Sequence, residues 1–285
     1  MNIVLATCRE WPEPASDLPL REALRARGHT VASMPWNEDQ NIFYSADLII
    51  LRACWDYYQN PERFSEWIES LAVRSAVVAN PLNVVSWNFD KRYLLELQAL
   101  GLNVVPTWIR DARDELSIRS FMSAEGFSSV VRKPLFGQSG HYIDHLSAST
   151  ARWPVAPFSG PALLQPFQEH INEVGETLMV FFAGEYSHTI KRTLADGEWR
   201  SNSQFGSKRS SIKPSDQVIQ QGQDILRTVT QAKDWRIPPL YARIDGLVSD
   251  DVFTLMELEL IEPALGFDLV PEAARRFAAV IEKFA

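Results

Sequence analysis

Cysteine is nearly missing from this chain: Cys8 and Cys54 are its only two in 285 residues. Two cysteines make neither a disulfide framework nor a convincing metal site, so a reducing, cytoplasmic setting is expected. Long hydrophobic runs are missing too. No stretch approaches the ~18 apolar residues of a membrane-spanning helix. Met1 to Ala6 lacks the basic start and long apolar centre of a secretion signal, so no membrane partner is expected. Positive charge is in deficit, with 28 Lys and Arg against 36 Asp and Glu and a net charge of -8. That balance argues against nucleic-acid binding through a bulk positive field. No internal repeat is visible. What is present is ordinary globular material, 46% hydrophobic and 22% charged, enough for one large domain or a few small ones.

The most informative stretch lies late: Tyr241-Ala-Arg-Ile-Asp-Gly-Leu, a short gap, then Phe253-Thr-Leu-Met-Glu-Leu-Glu-Leu-Ile-Glu-Pro. Both runs read as strands. Alternation puts Glu257 and Glu259 on one face of the second, and Arg243 and Asp245 on one face of the first. If the strands pair, three carboxylates and a guanidinium converge. Burying such a set is costly unless a cation or phosphate neutralises it. Mg²⁺ characteristically bridges one or two carboxylates and nucleotide phosphates. Glu262 lies an odd number of residues from Glu259 and precedes Pro263, so it is not expected among the ligands.

The first 80 or so residues alternate strand and helix. Strands are expected over 2–7, 29–34, 46–51 and 76–79, and helices over 18–27 and 61–73. Gly28 closes the first helix and Pro61 starts the second. Such a pattern predicts a parallel α/β unit, whose ligands sit past the carboxyl ends of the strands. Arg52, Trp55 and Asp56 then face a cleft. Arg52 either clamps a substrate carboxylate with two hydrogen bonds or pairs with Asp56. Cys8 and Cys54 read as small packing residues.

A helix over 91–100 places Lys91 in its first turn, where a cation opposes the helix dipole. An outside anion would relieve that. A strand over 104–108 and a helix over 116–124 follow. Next comes Val130-Val-Arg-Lys-Pro-Leu-Phe-Gly-Gln-Ser-Gly140, a strand ending in Lys133 with a Gly/Ser loop behind it. Backbone N–H groups of such loops cradle phosphates. The order is not that of a P-loop, because the lysine precedes the glycines; a plain hairpin turn would also use Gly137 and Gly140. Residues 147–161 read as a surface connection. Strands over 162–167 and 176–182 flank a hinge that could read an adenine edge, with Glu173 available for a ribose; Glu169 and Glu173 are alternatively solvated charges. Lys191 and His188 lie on opposite faces of the next strand. Residues 204–210 are either a mobile lid or a disordered loop. Helices over 216–232 and 271–284 complete the chain.

The ordered set of Lys91, Lys133 with Gly137, Ser139 and Gly140, Gln165-Pro166-Phe167, Glu173, Lys191, Arg243, Asp245, Glu257 and Glu259 resembles the ATP-grasp carboxylate–amine ligases over nearly the whole chain. The resemblance implies three parts: an N-terminal parallel α/β domain over 1–88, a central α+β subdomain over 89–168, and a C-terminal one over 169–285, the last two sandwiching ATP. It implies that Lys91 and Lys133 bind phosphates, that the 137–140 loop covers the transferring phosphate, and that Gln165, Pro166 and Phe167 line the adenine site. Glu173 would take the ribose. Asp245, Glu257 and Glu259 would hold Mg²⁺, with Mn²⁺ as a substitute, and Arg243, Lys191 and Arg52 would be the catalytic cations. Two positions depart from the family pattern. Glu259 stands where asparagine is usual, and Ser207 where a second glycine is common. Several segments, among them Arg52-Ala-Cys-Trp-Asp-Tyr-Tyr and Met256-Glu-Leu-Glu-Leu-Ile-Glu-Pro, resemble the cyclo-ligase branch that contains the O-ureido-serine cyclo-ligase of cycloserine biosynthesis.

The implied reaction is carboxylate activation by ATP followed by attack of an amine, within one small molecule or between two. Positioning and charge neutralisation are the protein's main tasks in such chemistry. No general base stands out; His188 and Asp56 are candidates. A non-catalytic ATP-binding regulatory protein and a phosphotransferase that stops at the acyl phosphate are the alternatives. A homodimer is compatible with this reading.

Overall fold

Apolar, β-branched runs near the amino end become parallel strands. In the computed structural model, which describes residues 1–284, β1 (Asn2–Thr7) leads to α1 (Leu18–Ala26), β2 (Thr30–Pro35), α2 (Gln40–Tyr44), β3 (Leu48–Leu51), α3 (Pro61–Val73) and β4 (Val78–Ala79). The strands run parallel in the order β2-β1-β3-β4. β3 is buried throughout, as expected where both faces of a sheet are covered. α3 opens with Pro61 and is capped by Asn60, whose side chain accepts from Arg63 N at 3.1 Å. The five-residue α2, which the sequence pattern does not announce, is too short to show a helical period.

α4 (Leu82–Phe89) and α5 (Tyr93–Ala99) come next. The helix expected over 91–100 begins only at Tyr93, so Lys91 sits in the break between two helices rather than in a first turn. Its backbone N–H is taken by Leu135 O at 3.0 Å. The second sheet contains β5 (Trp108–Asp111), β6 (Ser129–Pro134), β7 (Asp144–Ser147) and β8 (Pro161–Pro166), with α6 (Glu115–Glu125) packed on it. It is antiparallel in the order β5-β8-β6-β7. The strand expected over 104–108 starts at its last residue, because Val104 and Val105 are used elsewhere.

The third sheet follows a short α7 (Ile171–Val174). It contains β9 (Glu176–Phe182), β10 (Glu185–Thr193), β11 (Lys208–Ile212), β12 (Tyr241–Ser249) and β13 (Val252–Glu259), with α8 (Asp216–Ala232) inserted before β12. Its order is β11-β10-β9-β12-β13, antiparallel throughout. The polar stretch 204–210 is ordered rather than disordered coil: a 3-10 turn over Ser203–Phe205 leads into β11. Finally α9 (Pro271–Phe284) returns to the first unit, packing Phe277 and Ile281 among Leu20 and Leu24 of α1. The whole is a parallel α/β unit followed by two antiparallel sheets with helices.

The outer edge of β13 explains why its charges hold still. An edge strand presents unpaired N–H and C=O groups, and here residues 88–105 take them. Asn88 donates to Leu258 O and accepts from Leu260 N, each at 2.8 Å. Tyr93 Oη accepts from Leu258 N at 3.0 Å. Leu255 N donates to Asn103 O, and Val105 N to Leu255 O, both at 2.8 Å. Side chains and a short backbone stretch thus serve where a sixth strand would.

Candidate active site

β12 and β13 pair with Arg243 opposite Glu259 and Asp245 opposite Glu257. The register slips just after Asp245, a bulge that turns Met256 as well as Glu257 and Glu259 toward one cavity. Gly246 makes the slip feasible: a Cβ there would lie 2.2 Å from Thr254 O and 2.6 Å from the Phe253 ring. Arg243 braces the group. Its Nε donates to Asp245 Oδ1 at 2.8 Å, its Nη2 lies 2.7 Å from both Asp245 Oδ2 and Glu259 Oε1, and its Nη1 donates to Ala264 O at 3.0 Å. Lys91 Nζ binds Glu257 Oε1.

These partners set the charge states. Burial pushes Glu259 up to about 7, opposed by Arg243 and aided by Asp245 and Glu257. Asp245 is raised by burial despite the same arginine. Burial alone would raise Glu257 as well, but Lys91 and Lys133 outweigh it and hold that carboxylate below its usual range. Lys133 is lowered by burial, and it has no salt bridge among the described residues.

The cavity, about 940 Å³ counting the part open to solvent, lies between the second and third sheets. One end is apolar, formed by Val131, Pro166, Phe167, Ile171 and Met256. Phe167 stacks on His145 at 4.1 Å, with Trp199 5.7 Å from the histidine. Gln165 is buried beneath, donating to Thr107 Oγ1 at 2.9 Å. The other end carries Lys91 and Lys133, and Gly137, Ser139 and Gly140 of the connecting loop form part of the wall. That loop is pinned from the 3-10 turn. Gln204 donates to Ser139 O, and Gly140, at φ +72°, leaves no room for a Cβ, which would come 2.5 Å from Asn202 Oδ1.

Several expected site residues stand elsewhere. Arg52 is wholly buried in the first unit, its Nε and Nη2 bound to Asp17 at 3.1 and 2.9 Å. It neither lines the cavity nor pairs with Asp56, whose Oδ1 accepts from Trp36 Nε1 at 2.6 Å. Asp17 outcompetes Asp56 because a 3-10 turn brings it to the end of β3. Lys191 faces Gly175 rather than the cavity; its neighbour Arg192 is the lining residue. Glu173 is exposed on α7, and Glu176, three residues on, is the buried acid of the lining. Arg243 does not line the cavity, since the carboxylates it braces lie in front of it. His188 is a structural histidine with Nε2 2.8 Å from Leu265 O and its ring lowered by burial, so it offers no base to this site.

Sequence reasoning missed the set Glu176, Arg192 and Ser201. Glu176 Oε2 accepts from Arg192 Nη1 at 3.1 Å and from Ser201 Oγ at 2.5 Å. The signal was present as Glu176 opposite Arg192 in the β9–β10 register, but a register shift between Tyr186 and His188 hides it from simple counting.

Among the described residues, no group of three or more His, Cys, Asp or Glu is arranged as a ready-made metal cage. Arg243 and Lys91 take the carboxylates instead. The donor chemistry still fits Mg²⁺, which typically binds one or two carboxylates and completes its shell with substrate phosphates and water. Among the described residues, no helix is long and apolar enough to cross a membrane.

Residues 3–80 match the family described as D-cycloserine synthetase DcsG, N-terminal domain. Across 278 residues the chain is 28% identical to the cycloserine biosynthesis protein DcsG of Streptomyces lavendulae, covering 92% of this chain and 91% of that one. The crystal structure of D-cycloserine synthetase DcsG superposes with a TM-score of 0.87 at 25% identity, covering 100% of this chain and 99% of that one. The ATP-grasp ligase PsnB, complexed with a phosphomimetic variant of its minimal precursor, Mg and ADP, superposes with a TM-score of 0.66 at 16% identity, covering 99% and 98%. The chain has the fold of the ATP-grasp ligases, and its similarity to D-cycloserine synthetase runs over its whole length. It is accordingly an ATP-dependent, ADP-forming enzyme of carbon–nitrogen bond formation, and a purely regulatory role is set aside.

Proposed function

We propose that this ligase activates the carboxylate of a small, amino-acid-like substrate as an acyl phosphate and closes a ring through a nitrogen of the same molecule. The observation that carries the reading is the continuity of two cavities. Lys91, Gly137, Gln138, Glu257 and Glu259 line the larger slot and also a second, smaller cavity of about 300 Å³ beside the first unit. A small pocket that shares a wall with the slot suits one compact molecule better than a peptide and a separate amine. The whole-chain similarity to a D-cycloserine synthetase supports ring closure as the outcome.

In this reading a substrate carboxylate oxygen attacks the terminal phosphorus of ATP and ADP leaves. A neutral amine nitrogen then attacks the acyl carbon, the carbon–oxygen bond to phosphate breaks, and the amine proton passes to solvent. Lys133 and Lys91 hold phosphate oxygens, and the 137–140 loop excludes water. Phe167, Pro166 and His145 hold the base, while Glu176 and Arg192 fix the sugar side. Asp245, Glu257 and Glu259 would hold Mg²⁺, which supplies charge neutralisation between phosphate oxygens. Arg243 keeps Asp245 and Glu259 at their spacing, and Lys91 holds Glu257.

The test is ADP release from ATP and Mg²⁺ with a panel of amino acids and β-substituted serines, O-ureidoserine first. Release with a single compound and no added amine, with a cyclic product by mass, supports ring closure. Release only when a second amine is supplied replaces it with condensation. Hydroxamate formation with hydroxylamine reports the acyl phosphate.

A further inference from the structure

Glu262 is the buried acid that the site described so far leaves unused. It follows β13, is 2% exposed, and its Oε1 accepts from Gln138 Nε2 at 2.8 Å. Its Oε2 has no hydrogen-bond partner among the described residues. A buried carboxylate oxygen without a partner is costly, and native structures seldom leave one. Glu262 lines the smaller cavity, with Tyr57, Phe89 and Tyr93 as apolar walls and Lys91 and Glu259 toward the larger one.

We propose that Glu262 Oε2 binds the ammonium group of the amino-acid substrate whose carboxylate is activated in the adjoining cavity. This rests on the ligase reading above and names the substrate class. The other charges nearby are engaged. Lys91 holds Glu257, and Arg243 holds Asp245 and Glu259. Those three acids are also the ones suited to the metal, so Glu262 remains for the substrate. Burial and the neighbouring Glu259 raise this carboxyl well above the usual range, so a cation seated at Oε2 is what holds it ionised. The attacking nitrogen must be neutral to offer its lone pair, so the group held is the ammonium that does not react. Aromatic walls keep water out and strengthen the pairing. Gln138 belongs to the phosphate-covering loop, so the seated loop completes the ammonium pocket by holding Glu262 in place.

The test compares the wild type with Glu262→Gln and Glu262→Asp, using whichever compound of the panel releases ADP and its deaminated analogue. For Glu262→Gln the KM of the amino substrate rises about tenfold or more, while the KM for ATP stays within twofold. The deaminated analogue is equally poor with wild type and variant. Glu262→Asp keeps the charge and recovers part of the loss. An unchanged KM for the amino substrate in Glu262→Gln overturns the proposal. So does an equal loss with the analogue, or a parallel loss of ATP affinity, which would mark a structural role. If Glu262→Gln does not fold, Gln138→Ala replaces it, with a rise of a few fold in the same KM expected and no change overturning the idea. A wild type that releases ADP with no panel compound sinks the ligase reading itself, and this inference with it.

Discussion

Two buried arginines, Arg52 and Arg243, look alike in the sequence and differ in the fold. Each belongs to a strand or its end, and each pairs with an aspartate inside the protein. Arg52 meets Asp17 alone, and its Nη1 finds no hydrogen-bond partner among the described residues. Arg243 uses all three nitrogens, on Asp245, Glu259 and Ala264. The first is a closed pair that joins a turn to a sheet. The second stands behind a surplus of carboxylates that open onto a cavity. Pairing alone therefore does not mark a functional charge; an excess of one sign facing open space does.

The comparison breaks most easily through stability. Arg52→Met strands Asp17 in the core and is expected to cost about 3–5 kcal/mol by urea unfolding. Arg243→Met is expected to cost a similar amount, but Mg²⁺ with ADP recovers part of it by neutralising the freed carboxylates. Equal recovery in both variants would erase the distinction. Next in size is the chemistry. Glu257→Gln is expected to lower ADP formation by about 10²–10³ while the circular-dichroism melt stays close to wild type. Normal turnover would remove Glu257 from the metal set. Arg192→Met is expected to raise the KM for ATP about tenfold, as the loss of one charged hydrogen bond does. Lys191→Met should leave it within twofold, and the reverse result would restore the face expected from the sequence.

The smallest effect is in pH dependence. Glu259 is raised from its ordinary 4.5 to about 7. Between those values the folded protein holds a proton that the unfolded chain releases. Stability without Mg²⁺ therefore falls as pH rises through that window, by at most about 1.4 kcal/mol per unit, and levels off above it. Melts from pH 5 to 8 on wild type and Glu259→Gln read this, and a slope that survives in the variant would assign the proton elsewhere.

Much of the architecture was legible because it is periodic. α3, α8 and α9 run over the residues that their apolar spacing and caps indicate, and the alternation in 241–259 yields the strand pair directly. Lys133, the 137–140 glycines, Gln165, Pro166 and Phe167 gather around one cavity. The rest depended on information that spacing does not carry. Arg52 is placed by Asp17, which only the fold brings near. Arg192 replaces Lys191 because β10 shifts register, and one residue of slip exchanges the two faces. Lys91 escapes its helix through a backbone bond to Leu135, far along the chain. Odd spacing from Glu259 and the following Pro263 argue against Glu262 as a ligand, but it lies past the end of β13, where alternation no longer sets a direction.

The stitching of β13 by residues 88–105 separates chain order from mechanical allegiance. This segment precedes the second sheet in sequence, yet Asn88, Tyr93, Asn103 and Val105 are fastened to the third. Lys91 lies within it and binds Glu257 of the same strand. Any rocking of the second sheet over the cavity would thus carry Lys133 away from the carboxylates, while Lys91, fastened to Glu257 by its side chain and to Leu135 by its backbone, stays at the joint. The two lysines of the cavity are thus held differently, Lys133 on a strand of the second sheet and Lys91 at the joint between that sheet and the third.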